Sequence, residues 1–179
     1  APGGAPANVA RNLAKLGVET AFMGLLGDDP FGRYLADDLA SAGVDTQWIG
    51  RSPRITSPLA FVATQRDGGK QAAFAGMASW ASALAESAEL DRPVTPGPDR
   101  WLHVGGVASA WPELHHRQRA ILNRARGAGW RTSLDVNFRP ALFQDRPDLF
   151  AARMNELLPL VDLVKVSDEE LDATLHLDA

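Results

Sequence analysis

The sequence contains no cysteine, so neither a disulfide framework nor thiolate chemistry is available, which suits a reducing compartment and gives cytoplasmic as the expected location. No apolar run approaches the ~20 residues of a membrane span. There is no initiator methionine, signal-peptide h-region or other targeting pattern. Lysine is scarce, 3 residues against 15 arginines, a bias that with abundant alanine reads as GC-rich coding. The net charge of −4 argues against a general nucleic-acid binder, whose footprint is basic. A Walker motif G-x-x-x-x-G-K-[ST] is missing, as is a G-x-G-x-x-G followed by an acidic residue ~20 positions on, so a different Rossmann-like binder such as a dinucleotide enzyme stays an alternative without motif support.

What is present is 179 residues, 45% apolar, in which short apolar runs alternate with helical patterns, the mark of an α/β sheet with crossover helices. Val9, Leu13 and Leu16 recur at helical spacing, with Gly17 as C-cap. Thr20 to Leu26 reads as a buried strand. Asp29-Pro30 is an N-cap with proline at the first helical position, and Phe31, Leu35 and Leu39 form one face of a helix closed by Gly43. Residues 46–75 break the rhythm with three strand-like runs and the turn signal Arg66-Asp67-Gly68-Gly69, predicting a small antiparallel insertion. A short helix precedes Thr95. Strands at Trp101–Val104, Thr132–Val136 and Leu163–Val166 then alternate with helices at Glu113–Arg126 and Leu149–Leu158, and Asp168 opens a last helix.

Three clusters could carry chemistry. In Gly3-Gly4-Ala5-Pro6-Ala7-Asn8, paired glycines before a helix let the backbone approach a ligand, and Asn8 offers both donor and acceptor; the same pattern also makes an ordinary turn. Asp135-Val136-Asn137-Phe138-Arg139-Pro140 lies at the C-terminal end of a strand, where open α/β sheets bind ligands. Alternation puts Asp135, Asn137 and Arg139 on one side if the strand stays extended, a set suited to phosphates, magnesium-bound water or an acidic sugar, or else to a salt bridge where the loop starts. Ser167 to Glu170 is S-x-x-E, a capping box. Adjacent His115 and His116 diverge by ~100° and cannot make an i, i+4 metal pair, so both are expected to face solvent. His103 reads as a packed strand histidine, and Arg117, Arg119, Arg124 and Arg126 as a wet helix face.

The first cluster, with Gly17 and Gly27 beyond it at matching gaps, resembles the first signature of the PfkB family of carbohydrate kinases. The resemblance continues through Gly24-Leu25-Leu26-Gly27-Asp28-Asp29-Pro30-Phe31-Gly32, the Asp-x-Asn-x-Arg stretch and Lys165-Val166-Ser167-Asp168-Glu169-Glu170, and covers essentially all of the chain. It implies a ribokinase-like three-layer α/β sandwich with a mostly parallel central sheet. Residues 46–75 would then be a β lid that closes over sugar and excludes water from phosphoryl transfer, and through which two copies could pair. It further implies that Gly3, Gly4 and Asn8 line the sugar pocket and that Arg139 meets the substrate or the transferring phosphoryl group. Asn137, Ser167 and Glu170 would lie at the nucleotide, Glu170 touching Mg2+ through water. The cofactors implied are ATP and Mg2+, and the substrate a small sugar.

The family's second signature, Gly-Ala-Gly-Asp, is absent from the sequence; it supplies the base that takes the sugar proton and the anion hole for the phosphates. The first sugar-binding strand is also expected to precede residue 1. The reading is therefore a portion of a kinase, incomplete at both ends, inactive by itself and exposing sheet edges. Fructose is the first choice of substrate. A 2-keto-3-deoxygluconate kinase is the alternative, weakened by Phe74-Ala75-Gly76 where such enzymes often place an arginine. Ribokinase proper fits less well, because Gly105-Gly106 stands where its acidic residue belongs. From another class, an inactive sugar-binding or dimerisation module fits the same residues.

Overall fold

A computed structural model describes residues 1–64, 70–97 and 99–171; the Arg66–Gly69 turn and the last two residues, Asp178 and Ala179, lie outside them. The chain divides into two units, one of residues 1–2 and 10–89, the other of residues 3–9 and 90–179. Helix α1 (Ala5–Lys15) contributes to both.

In the first unit, α1 ends in a Schellman motif: Val18 N–H donates to Leu13 O and Gly17 N–H to Ala14 O, with Gly17 at φ +83°. The expected apolar face is not the buried one. Leu13 and Leu16 are exposed, Leu16 to 80%, and Ala10 is buried instead. The Thr20–Leu26 expectation contracts to β1 (Gly24–Gly27), preceded by a single parallel bridge from Ala21 to Asp45. Helix α2 (Pro30–Ser41) starts as expected, with Asp29 accepting from Gly32 N–H at 2.7 Å. Its buried residues are Gly32 and Leu39, while Phe31 is exposed.

The antiparallel insertion is smaller than residues 46–75. Strand β2 (Ile49–Ser52) pairs in parallel with β1 over four rungs, Gly24 to Ile49 through Gly27 to Ser52. Among the described residues, only β3 (Leu59–Thr64) and β4 (Lys70–Ala75) form an antiparallel hairpin. A four-residue strand without alternation carries no sign of which partner it will take, so β2 could not be separated from its neighbours by pattern. Helix α3 (Met77–Ala85) follows Gly76 and is tied back to β1 by Trp80 Nε1, which donates to Leu25 O at 2.8 Å.

The second unit is a parallel three-stranded sheet in the order β5 (Trp101–Gly105), β6 (Arg131–Asp135), β7 (Leu163–Lys165). Helix α4 (Pro112–Gly127) crosses from β5 to β6 and α5 (Pro147–Leu157) from β6 to β7. Alternation sends Leu102, Val104, Leu134, Val136 and Val164 to one face, where they join Leu122, Phe143, Phe150, Met154 and Leu157 in the core. As expected, α4 buries Leu114, Ile121, Leu122 and Ala125. Its arginines are not merely wet. Arg117 pairs with Asp91 at 2.8 Å, Arg119 with Glu156 at 2.7 Å and Arg126 with Asp162 at 3.7 Å. The buried Thr132 is satisfied by the β7 approach, donating from Oγ1 to Leu160 O and from N–H to Asp162 Oδ2. The Thr132 N–H holds the Asp162 carboxyl below its ordinary range.

Candidate active site

All seven residues singled out for binding lie in the second unit, at or beyond the C-terminal ends of its strands and at the start of α1. Gly4 stands at φ +96° immediately before α1, and Asn8 N–H closes the first turn on Gly4 O at 2.9 Å. A β-carbon on Gly3 would meet nothing within 4 Å, so this position borders open space. Asn8 is half-buried. The loop rests on β5: a β-carbon at Gly105 would come within 3.2 Å of Pro6 Cγ. Gly105 in turn pairs with Asp135 at the end of β6, and Asp135 with Lys165 at the end of β7. Lys165 Nζ lies 3.0 Å from Asp135 Oδ1, off the hydrogen-bonding direction, as an ion pair.

Beyond β6 the backbone does not stay extended. Asn137 adopts φ +44°, so the alternation that would align Asp135, Asn137 and Arg139 is broken. Arg139 is exposed, and its Nη1 donates to Phe138 O at 2.7 Å. The turn puts the Phe138 ring 4.4 Å from Phe150 and 5.8 Å from Phe143, centroid to centroid. Packing of the half-buried Phe138 against the core thus accompanies the turn, and Asn137, an amide tolerant of the left-handed region, takes the positive φ.

The capping box forms as expected at α6 (Asp168–Glu170): Ser167 Oγ accepts from Glu170 N–H at 3.2 Å, and Glu170 Oε2 accepts from Ser167 N–H at 3.0 Å. The other oxygen, Oε1, accepts from Phe138 N–H at 2.8 Å. One carboxylate therefore joins the Asn137–Arg139 turn to Ser167.

His103 is a packed strand histidine. Its Nδ1 lies 2.9 Å from Ser133 Oγ, and its buried Nε2 has no hydrogen-bond partner among the described residues. Burial lowers its pKa against the pull of Asp135. His115 corrects its expectation: it is 1% exposed, bonded to Ser109 and facing Glu156, while His116 is exposed. With Gln118, these residues are what sequence reasoning missed. The signal was present, because His115, Gln118, Leu122 and Ala125 share one stripe of α4.

The sequence matches the profile described as pfkB family carbohydrate kinase over residues 1–178. The chain belongs to this family. A fructokinase of Klebsiella pneumoniae is 35% identical over 172 residues, 95% of this chain and 54% of that protein. Among solved structures, a fructokinase from Xylella fastidiosa with bound ATP is 34% identical, with a TM-score of 0.77 over 95% of this chain and 53% of that one. A fructokinase from Vibrio cholerae O395 with fructose, ADP and calcium ion bound is 30% identical, with a TM-score of 0.75 over 95% and 54%. The PfkB chain described here spans about half the length of the curated relatives it matches. Its fold class is ribokinase-like α/β with mostly parallel pairing and a separate antiparallel hairpin.

Proposed function

We propose that the protein carrying this chain transfers the γ-phosphoryl group of ATP to a hydroxyl of a small sugar, fructose first. The observation that carries this reading is membership of the family along the whole chain, together with about one-third identity to fructokinases from several bacteria. The fructose-, ADP- and calcium-bound relative supports nucleotide and divalent-metal use by this fold.

Gly3, Gly4 and Asn8 would hold the sugar, with the helix start offering N–H groups and Asn8 a two-way hydrogen-bonding amide. Arg139 would meet the substrate or the transferring phosphoryl group, its exposed guanidinium needing only to exchange the Phe138 carbonyl for an anion. Asn137, Ser167 and Glu170 would face the nucleotide. Among the described residues no group of three or more His, Asp or Glu could hold a metal ion. The donor set fits Mg2+ carried on the nucleotide, with Glu170 reaching it through water from a carboxylate oxygen. Bound there, the metal would neutralise phosphate charge. The hairpin, with Phe61 and Val62 exposed, would be the lid and the surface for a homodimer. Among the described residues no helix is long and apolar enough to cross a membrane, and we infer a cytoplasmic protein.

The test is ADP release from ATP and Mg2+ with fructose by the full-length protein. Turnover is expected, and Asn8→Ala should lower kcat/KM for the sugar about 10-fold or more, the scale of a lost substrate hydrogen bond. No turnover with fructose or any other sugar would overturn the reading.

A further inference from the structure

Behind the end of β5 lies a chain of polar side chains that none of the proposed chemistry uses. Ser109, His115 and Gln118 are buried, with 1%, 1% and 7% exposure. Gln118 Nε2 donates to Gly105 O at 2.9 Å, and a carbonyl can only accept, so the Gln118 amide has one orientation. Its Oε1 must then accept from the Ser109 hydroxyl at 2.9 Å. Ser109 has one hydrogen and has given it away, so its oxygen accepts from His115 Nδ1 at 3.1 Å. His115 Nδ1 therefore bears a hydrogen, and Nε2 is left facing Glu156 Oε2 at 3.2 Å. The direction of every bond follows from the Gly105 carbonyl.

Gly105 is also the residue against which Pro6 packs, and Pro6 lies between Gly3-Gly4 and Asn8. We propose that Gln118, Ser109 and His115 are positioning residues for the sugar-binding loop: they fix the Gly105 carbonyl, and Gly105 seats Pro6, with the protonation of His115 deciding whether the relay extends to α5. The role at a sugar loop rests on the sugar-kinase reading.

The charged groups facing His115 are Glu156 and Arg153 on α5 and Arg119 on its own helix; Ser109 brings no charge. Burial and the two arginines hold the imidazole below its ordinary pKa, against the pull of Glu156. A neutral ring keeps its hydrogen on Nδ1 for Ser109 and turns a lone pair towards the Glu156 carboxylate, which keeps Arg119 at 2.7 Å. Protonation at Nε2 converts that opposition into a charge-assisted bond and closes the relay onto α5.

The experiment is steady-state kinetics of the full-length protein with fructose and MgATP from about pH 8 down to about pH 5, because a histidine held below its ordinary value titrates in the acidic part of that span. Gln118→Leu should raise the sugar KM about fivefold or more while kcat and the nucleotide KM stay within about twofold. Gln118→Glu keeps the shape but cannot donate to Gly105 O, and should shift the sugar KM in the same direction if the leucine variant does not fold. In the wild type the sugar KM should rise as His115 loses its proton, and His115→Gln should flatten that profile. Equal shifts of both KM values, no shift, or an unchanged pH profile in His115→Gln would overturn the proposal.

A second measurement is independent of turnover. Nitrogen NMR of the ring should find neutral His115 as the Nδ1–H tautomer, and Gln118→Leu should displace the amide signals of Gly3, Gly4, Ala5, Ala7 and Asn8, which flank Pro6. An Nε2–H tautomer, or undisturbed signals, would overturn the relay. Both results as expected in a protein that phosphorylates no sugar would uphold the relay and refute the sugar-kinase reading alone.

Discussion

The β5–β6–β7 sheet and the β3–β4 hairpin draw on similar apolar residues and use them in opposite ways. Phe150 is 0% exposed and clasped edge-on by Phe143, whereas Phe61 on the hairpin is 62% exposed. The sheet gains its hydrophobic stabilisation from layers on its own helices. Among the described residues the hairpin has two strands and no such layer, an extent of β-structure that is marginal by itself. An apolar residue type therefore says little about its role until its neighbours are known. In the sheet it builds the scaffold on which loops are aimed, and in the hairpin it stays at the surface.

Substitution at paired positions would break or sharpen this contrast. The largest effect is expected from Phe150→Ala, a loss of about 3–5 kcal/mol from a closed core, against less than about 0.5 kcal/mol for Phe61→Ala on the surface. Denaturant midpoints of the two variants measure the difference, and equal losses would dissolve the contrast.

Next comes Gly106→Ala. A β-carbon there would sit 2.2 Å from the Val136 carbonyl oxygen, a backbone atom that cannot yield without moving the end of β6. A loss of about 1–3 kcal/mol is expected, and a variant as stable as the wild type would mean the loop ends are softer than the sheet. Smaller again is Asp29→Ala. Besides capping α2, Asp29 Oδ2 accepts from Ser57 N–H at 2.7 Å just before β3, and Ser57 Oγ accepts from Gly27 N–H at 3.0 Å. About 1–2 kcal/mol should be lost, with faster amide exchange at Ser57; an unaffected Ser57 would show that the hairpin root stands without the cap.

The smallest effect belongs to pH. Burial lowers the pKa of both His103 and His115 below the ordinary value of 6.5. Unfolded chains bind more protons than the fold through that window, so stability is fully present above pH 6.5 and is lost as pH falls through the folded values. The sheet unit holds both groups, so its protection against amide exchange should weaken on acidification more than that of β1 and β2. Protection that is flat or rises towards acid would contradict this.

What sequence could and could not reveal divides by the range of the interactions. The Asp29 cap, the Ser167–Glu170 box, the Gly17 and Gly43 stops and the strands β5 to β7 were legible because each is written in a few adjacent residues. The parallel partner of β2 was not, because pairing is decided by residues more than twenty positions away. The exposed Leu13 and Leu16 show the same limit: periodicity marks a face, but not whether anything covers it. At the site, the positions of Gly4, Asn8, Ser167 and Glu170 followed from local pattern. The left-handed Asn137 did not, because it depends on where the Phe138 ring finds its pocket. His115 is a different case, because its place on the buried stripe of α4 with Gln118, Leu122 and Ala125 is written in local spacing.

The Glu170 carboxylate has a consequence of reach. Its two oxygens span from the Ser167 amide to the Phe138 amide, so side-chain length matters as much as charge. Aspartate would keep the charge and lose the span. Glutamine would keep the span but present only one accepting oxygen, turning an N–H donor towards the other amide. The position admits one residue type for purely mechanical reasons, and it fastens two turns that have no bond to each other along the chain. A latch of this kind ties the opening of one turn to that of the other.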